Sequence, residues 1–263
     1  MEHSIQDLKE FGGGERCYFP EGAGTVEEMA KDHYYRYIFA VEAIGDNKAV
    51  LDAACGSGYG SMMLAEKAKS VMGVDVSAHA IDFAKKQYKK DGLTFQVVDF
   101  NKKFPLADNL FDVIVSFETI EHLYGQDNML SEFRRVLKPG GTLFISTPDN
   151  NLGSGGLPSS NPFHVKELKK DEFLELLHTY FTIDRLYGQI VLDNLPLWKQ
   201  SIKNLRKITP LRKAKQWATK KLGIEEAIHK SLGTGADISI HETTEAEPNK
   251  YYQLLAVCKN KKS

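Results

Sequence analysis

"ETIEHLYG", Glu118 to Gly125, brings Glu118, Glu121 and His122 within five positions, directly after the apolar run "FDVIVSF". Two carboxylates and an imidazole bunched there admit three readings: a solvated helix start, an acid/base pair, or most of a metal site. If Ile120 to Tyr124 opens a helical turn, the three residues lie at i, i+3 and i+4 and share one face. Carboxylate oxygens with an imidazole nitrogen suit a hard or borderline divalent cation and leave coordination positions open for substrate oxygens. A second group is spread along the chain. In "LDAACGSGYG", Gly56, Gly58 and Gly60 let the backbone turn tightly and let a ligand come close to it, although a purely structural turn would use the same residues. Asp75 follows Asp52 by 23 positions, near the spacing at which an acid holds ribose hydroxyls. Asp99 falls where it would reach an adenine amino group.

These residues need elements to position them. From Ala49, the runs "AVLDAAC", "SVMGVDV", "LTFQVVDF", "FDVIVSF" and "GTLFIST" read as strands. Helical stretches separate them: Gly60 to Lys69, then "AHAIDFAKKQYKK" with Ala80, Ile81, Ala84 and Tyr88 on one stripe, then "QDNMLSEFRRVLK", which Pro139-Gly140-Gly141 ends. Alternation of helices with nearly continuous apolar strands predicts a parallel sheet covered on both faces. The glycine loop, Asp75, Asp99 and Glu118 then all leave its C-terminal edge, where such sheets bind ligands. Upstream, Phe11 to Gly24 is a Gly-rich entry loop, and Thr25 caps a helix to about Ala43. Downstream, a helix is expected from about Lys166 to Leu177. The strand "FTIDRLYGQ", an insertion from Ile190 to Asn249 and a final strand, "YYQLLAVCK", complete the reading.

The chain has 263 residues, enough for one large α/β domain with an insertion. Its 34 basic and 35 acidic residues leave a net charge of −1, so no global field draws it to nucleic acid or membrane. The distribution is uneven: Trp198 to Gly223 holds nine Lys and Arg and no acid. Cys17, Cys55 and Cys258 are odd in number and lack CxxC spacing, which argues against a disulfide framework or zinc knuckle. The polar, acidic start does not look like a signal peptide, and no apolar run approaches a membrane span, so a cytoplasmic location is expected.

"VLDAACGSGYG", "VMGVDVS", "VVDFN", "FDVIVSFETIEHL", "RRVLKPGGTLFISTP" and "FTIDRLYGQ" together resemble class I S-adenosylmethionine-dependent methyltransferases, over roughly Val26 to Tyr187 plus the last strand. The resemblance implies an α/β fold: a Rossmann-like, doubly wound, mostly parallel seven-stranded sheet with an antiparallel last strand and a helical insertion. It divides the chain into an entry loop and cofactor-covering helix (1–48), a cofactor-binding core (49–189), a basic helical insertion acting as a substrate lid (190–249), and a final strand and tail (250–263). It also implies cofactor contacts from Asp52, Ala54, Gly56, Gly58, Asp75, Val76, Asp99, Phe100 and Phe117. "KDHYYRYIFA" is similar to relatives whose helix covers the cofactor, which adds Arg36, with His33 and Tyr37 near it. The fourth and fifth strands are neighbours in that fold, so His164 of "NPFHVKEL" meets the Glu118 cluster.

ExxEH followed by a distant His is similar to two metal-dependent O-methyltransferase families, the small-RNA 3′-terminal ribose and the ubiquinone-pathway enzymes. By that resemblance Glu118, Glu121, His122 and His164 would hold Mg2+ or Mn2+, with His122, Glu118 and His164 catalytic. Many relatives keep an acid and a His at this place without metal, with the His as general base. "GERCYFPE", "HYYRY" and "NPFHVKELKKDEFLELL" resemble bacterial surface-glycan methyltransferases, so a glycan or small-molecule acceptor is expected, with an RNA 2′-hydroxyl or a quinone- or catechol-like hydroxyl as alternatives. The basic insertion, with Trp198, Leu205, Leu211 and Trp217 interleaved, suits an anionic carrier or a membrane surface; a solvated lid is the plain alternative. Nucleic acid is disfavoured by the near-neutral charge and the lack of a recognised RNA-binding module.

Overall fold

Val113, Val115 and Phe117 of β4 (Phe111–Phe117) are buried against one layer of helices, and Ile114 is buried against the opposite layer. β5 (Leu137–Pro148) repeats the pattern, with Leu143 and Ile145 facing one way and Phe144 the other. Strands buried on both faces are why the sequence reads as continuous apolar runs. Each such side chain contributes about 1.5–3 kcal/mol relative to exposure.

The computed structural model describes residues 28–149, 163–191, 238–246, 251 and 253–262. In chain order the remaining elements are α1 (Glu28–Ala43), β1 (Ala49–Ala53), α2 (Tyr59–Ala65), β2 (Ser70–Asp75), α3 (Ala78–Gln87), β3 (Leu93–Val97), α4 (Gln126–Val136), α5 (Lys170–Tyr180), β6 (Phe181–Val191), β7 (Ile238–Thr243) and β8 (Gln253–Asn260). The sheet runs β3-β2-β1-β4-β5-β8-β6-β7. β3 to β5 pair in parallel. β8 is antiparallel to both β5 and β6, so β6 runs with the parallel set. α1 and α2 pack on one face with Tyr34, Ile38, Met63 and Leu64. α4 and α5 pack on the other with Met129, Phe133, Phe173 and Leu177. Local signals set the helix ends: Ser77 Oγ caps α3 by accepting from Ala80 N at 3.2 Å, and Glu172 accepts from Lys169 N at 2.9 Å to start α5.

The doubly wound sheet with its antiparallel last strand is as the sequence predicts, with corrections. Among the described residues the sheet has eight strands, not seven, because β7 lies inside the stretch read as helical insertion and pairs antiparallel with β6. Pro139-Gly140-Gly141 do not lie between helix and strand; they sit inside β5, where Gly140 has φ 67° and the β4–β5 register shifts. α2 is shorter than expected, and α5 starts at Lys170, not Lys166. The entry loop, the Thr25 cap and the basic stretch from Trp198 to Gly223 lie outside the described residues. Among the described residues no helix is long and apolar enough to cross a membrane.

Candidate active site

The turn from β1 to α2 uses left-handed backbone at Ala54 (φ 62°), Gly56 (φ 54°) and Gly58 (φ 88°). The two glycines differ in purpose. A Cβ on Gly56 would meet nothing within 4 Å, which is the room a ligand needs, whereas one on Gly58 would come 2.7 Å from Ala84 Cβ. Asp75, at the end of β2, accepts from Gly56 N at 3.0 Å and Ser77 N at 2.9 Å, tying the glycine loop to the start of α3. A carboxylate offers about four acceptor sites, so ribose hydroxyls can share it with these N–H groups. Beside it Val76 is 55% exposed, an apolar surface at the edge where an adenine would lie. Asp99 is partly exposed and pairs with Lys102 at 3.0 Å; that hydrogen bond, with those from Asn101, holds its carboxyl below the usual range.

Four expected cofactor contacts, Phe100, Asp52, Phe117 and Arg36, are buried. Phe100 is 3% exposed and packs edge-on against Phe104 at 5.5 Å. Asp52 is fully buried and accepts from Tyr37 Oη at 2.9 Å and Ser61 Oγ at 2.6 Å, so its carboxyl docks α1 onto α2. Burial pushes its pKa up to about 6. Phe117 is buried too, with its ring 5.3 Å from that of Tyr37. Arg36 is fully buried at the β4–β8–β6 end of the site: Nη1 donates to Gln189 Oε1 at 2.6 Å and to Gln253 Oε1. Its Nη2 lies 3.9 Å from Glu118 Oε1, and Nε and Nη2 have no hydrogen-bond partner.

Glu118 joins that network. Ser146 Oγ donates to its Oε1 at 2.6 Å, and Gln253 Nε2 donates to its Oε2 at 2.9 Å. Its φ of 50° turns the chain before the short 3₁₀ turn Ile120–His122, so the shared helical face expected for Glu118, Glu121 and His122 does not form. Glu121, His122 and His164 do converge: one ligand atom from each lies within 4.8 Å of the others. Glu121 is fully buried; Thr147 Oγ1 donates to its Oε2 at 3.2 Å, and Oε1 has no partner. Burial, then the Glu118 charge, raises its pKa well above the carboxylate range. His122 Nδ1 lies 3.0 Å from the Phe163 carbonyl oxygen. A carbonyl can only accept, so Nδ1 carries the proton and the lone pair of the neutral ring is on Nε2. His164 Nδ1 meets Glu167 Oε1, and the two imidazoles stand edge to face at 4.9 Å. His33 of α1 lies in the field of both Arg36 and His122; burial first, then those charges, depresses its pKa.

A bound divalent ion with bonds of about 2.1 Å holds its ligand atoms about 3–4 Å apart, so the trio needs little closure. Sequence reasoning had missed Gln189, Gln253, Ser146 and Thr147, which touch the site from other strands, and Glu167, whose only signal was its place three residues after His164.

A family model described as a methyltransferase domain matches residues 44–210. A protein of Mycolicibacterium smegmatis named "Probable S-adenosylmethionine-dependent methyltransferase" is 34% identical over 164 residues, 60% of this chain and 63% of that one. A ubiquinone biosynthesis O-methyltransferase of Methylococcus capsulatus is 28% identical over 152 residues, 56% of this chain and 63% of its own. The chain thus spans less than two thirds of the length of these relatives. Among solved structures, the complex between the Haloferax volcanii Trm112 methyltransferase activator and a methyltransferase matches with TM-score 0.60 at 19% identity, covering 88% of this chain and 92% of that one. At that identity the likeness is one of fold.

Proposed function

Because the chain belongs to the class I S-adenosylmethionine-dependent methyltransferase family, we propose that it transfers the methyl group of S-adenosylmethionine to a hydroxyl of an acceptor with adjacent hydroxyls, a sugar or glycan unit, aided by a divalent cation. The observation that carries this reading is the unpartnered, fully buried Oε1 of Glu121 beside two imidazoles. A buried carboxylate oxygen without a donor is costly, and a cation would remove that cost. The donor set, one carboxylate with two imidazoles, favours Mn2+ over Mg2+.

In this reading Gly56 and Asp75 hold the cofactor, and Glu121, His122 and His164 hold the metal. A bound cation would supply the charge that lowers the acceptor hydroxyl's pKa. The chain's own residues orient the acceptor: Glu121, His122 and His164 converge on one point, and Glu118, beside the buried Arg36, lines the floor next to them. The hydroxyl oxygen bonds to the methyl carbon, the carbon–sulfur bond breaks with its electron pair going to sulfur, and the hydroxyl proton leaves to solvent. The similarity to a ubiquinone biosynthesis O-methyltransferase supports oxygen as the acceptor atom. A metal-free reading, with His122 Nε2 as general base, is favoured by the Phe163 carbonyl that fixes its tautomer.

Formation of S-adenosylhomocysteine, measured with nucleotide sugars, catechols and RNA 3′ ends, separates the acceptor classes. Turnover of a sugar that stops in EDTA and returns with Mn2+ supports the proposal; full turnover in EDTA leaves the His122 base. Asp75→Ala should weaken S-adenosylmethionine binding about ten- to hundredfold, the loss of at least one charge-assisted hydrogen bond. Unchanged affinity by calorimetry would remove Asp75 from the cofactor site.

A further inference from the structure

The turn that carries Glu121 and His122 is gripped by one short segment of the chain, Phe163 to Glu167. Val165 N and Lys166 N both donate to the Glu121 carbonyl, at 2.9 and 3.0 Å. Gln126 Nε2 bridges the two pieces, donating to Ile120 O at 2.9 Å and to Lys166 O at 3.1 Å. The same segment supplies an acceptor to Nδ1 of each imidazole: the Phe163 carbonyl to His122, and the Glu167 carboxylate to His164. His164 and Glu167 are both largely shielded, with side-chain exposures of 12% and 8%, so water competes poorly for this contact.

We propose that Glu167 is a positioning residue that holds His164 in the Nδ1–H tautomer and fixes its ring, leaving the Nε2 lone pair for the site shared with Glu121 and His122. The chemistry follows from the acceptor. An imidazole whose Nδ1–H is held by a carboxylate cannot rotate freely, and its Nε2 becomes the more basic ligand atom. A tethered pair three residues apart also lets one backbone segment set both groups at once. Glu167 does not ligate; it acts through His164. The inference rests on the divalent-cation reading for its metal readout but not for its tautomer readout.

The experiment uses the full chain in wild-type, Glu167→Ala and Glu167→Gln forms. Nitrogen-15 NMR of the imidazoles at neutral pH should show His164 as the Nδ1–H tautomer in wild type. That signature should persist in Glu167→Gln, which keeps an acceptor oxygen, and give way to a tautomer mixture in Glu167→Ala. Calorimetric Mn2+ affinity should fall about 10- to 100-fold in Glu167→Ala and be largely retained in Glu167→Gln, with S-adenosylmethionine affinity unchanged in both. If Glu167→Ala does not fold, Glu167→Asp, one methylene short, tests the same contact and should show an intermediate loss. An unchanged tautomer in the Ala or Asp variant overturns the proposal. So does a doubly protonated His164 in wild type, which would make the contact a plain ion pair. A wild-type chain that binds no Mn2+ removes the cation reading, and the tautomer result alone then decides the role of Glu167.

Discussion

Glu121 is held in a state that water would not choose. Its folded pKa is raised, so the folded chain binds its proton more tightly than the unfolded chain does. Stability from this group is therefore present below the unfolded value near 4.5 and is lost as pH rises above it. At neutral pH without metal the carboxylate opposes folding, and Glu121→Gln should raise the urea midpoint in EDTA while abolishing Mn2+ binding. A variant no more stable than wild type at pH 7.5 would show that Glu121 is already compensated. Asp52 obeys the same sign, with a window that can be named. Its pKa rises from 3.8 unfolded to about 6 folded, so about 3 kcal/mol of stability is lost in all as pH rises from below the first value to above the second. Asp52→Asn should lack that loss. Subtracting its unfolding free energies from those of wild type at pH 4 and pH 7 isolates the term; an unchanged difference would mean the carboxyl is less desolvated than its burial implies.

At the scale of elements, the β1–α2 turn separates two uses of glycine. An L side chain in the left-handed region costs roughly 1–2 kcal/mol, and overpacking adds roughly 1–3. Gly58→Ala should incur both, because its Cβ meets Ala84 and Phe95, and should lower the melting temperature sharply. Gly56→Ala should incur the first alone and express itself mainly as weaker S-adenosylmethionine binding, since its Cβ enters open space. Equal melting temperatures for the two variants would contradict this division. The parallel strands were legible in sequence because burial on both faces leaves an uninterrupted apolar run, as in "FDVIVSF". "ISIHET" was not, because β7 is an edge strand with polar residues in alternate places, and its pairing with β6 is set across a long separation in sequence. The site was legible as a list of residues and not as a geometry. Glu118 stays apart from the Glu121–His122–His164 group: Ser146, 28 positions on, bonds both its N–H and its carboxyl. Phe100 turns to the core because Phe104 and Phe133 await it there. Such distant contacts carry no local signal.

For the molecule as a whole, the question is how a cofactor site shared by a large family acquires its own acceptor. The sheet gathers Gly56, Asp75, Glu118 and the Glu121–His122–His164 group at one edge, and β6, which runs with the parallel strands, ends at that edge too. Val191 at the end of β6 and Ile238 at the start of β7 are paired across the ladder. Residues 192–237, with nine Lys and Arg and no acid from Trp198 to Gly223, therefore connect adjacent points at the sheet edge that carries Gly56 and Asp75. Antiparallel partners can be joined by a two-residue Asn-Gly turn. Replacing residues 192–237 with that turn should close β6 onto β7 without disturbing the register that Leu186 to Val191 already make. The residues proposed to hold the cofactor lie in other loops, so S-adenosylmethionine affinity should stay within about twofold, while turnover of the acceptor should fall at least about a hundredfold, with KM rising if the stretch binds an anionic part of it. Calorimetry with the cofactor and the S-adenosylhomocysteine assay with the acceptor read the two effects separately. A shortened chain that folds, binds cofactor and turns over the acceptor at the wild-type rate would place acceptor recognition in the core, at the loops around Glu118 and His164.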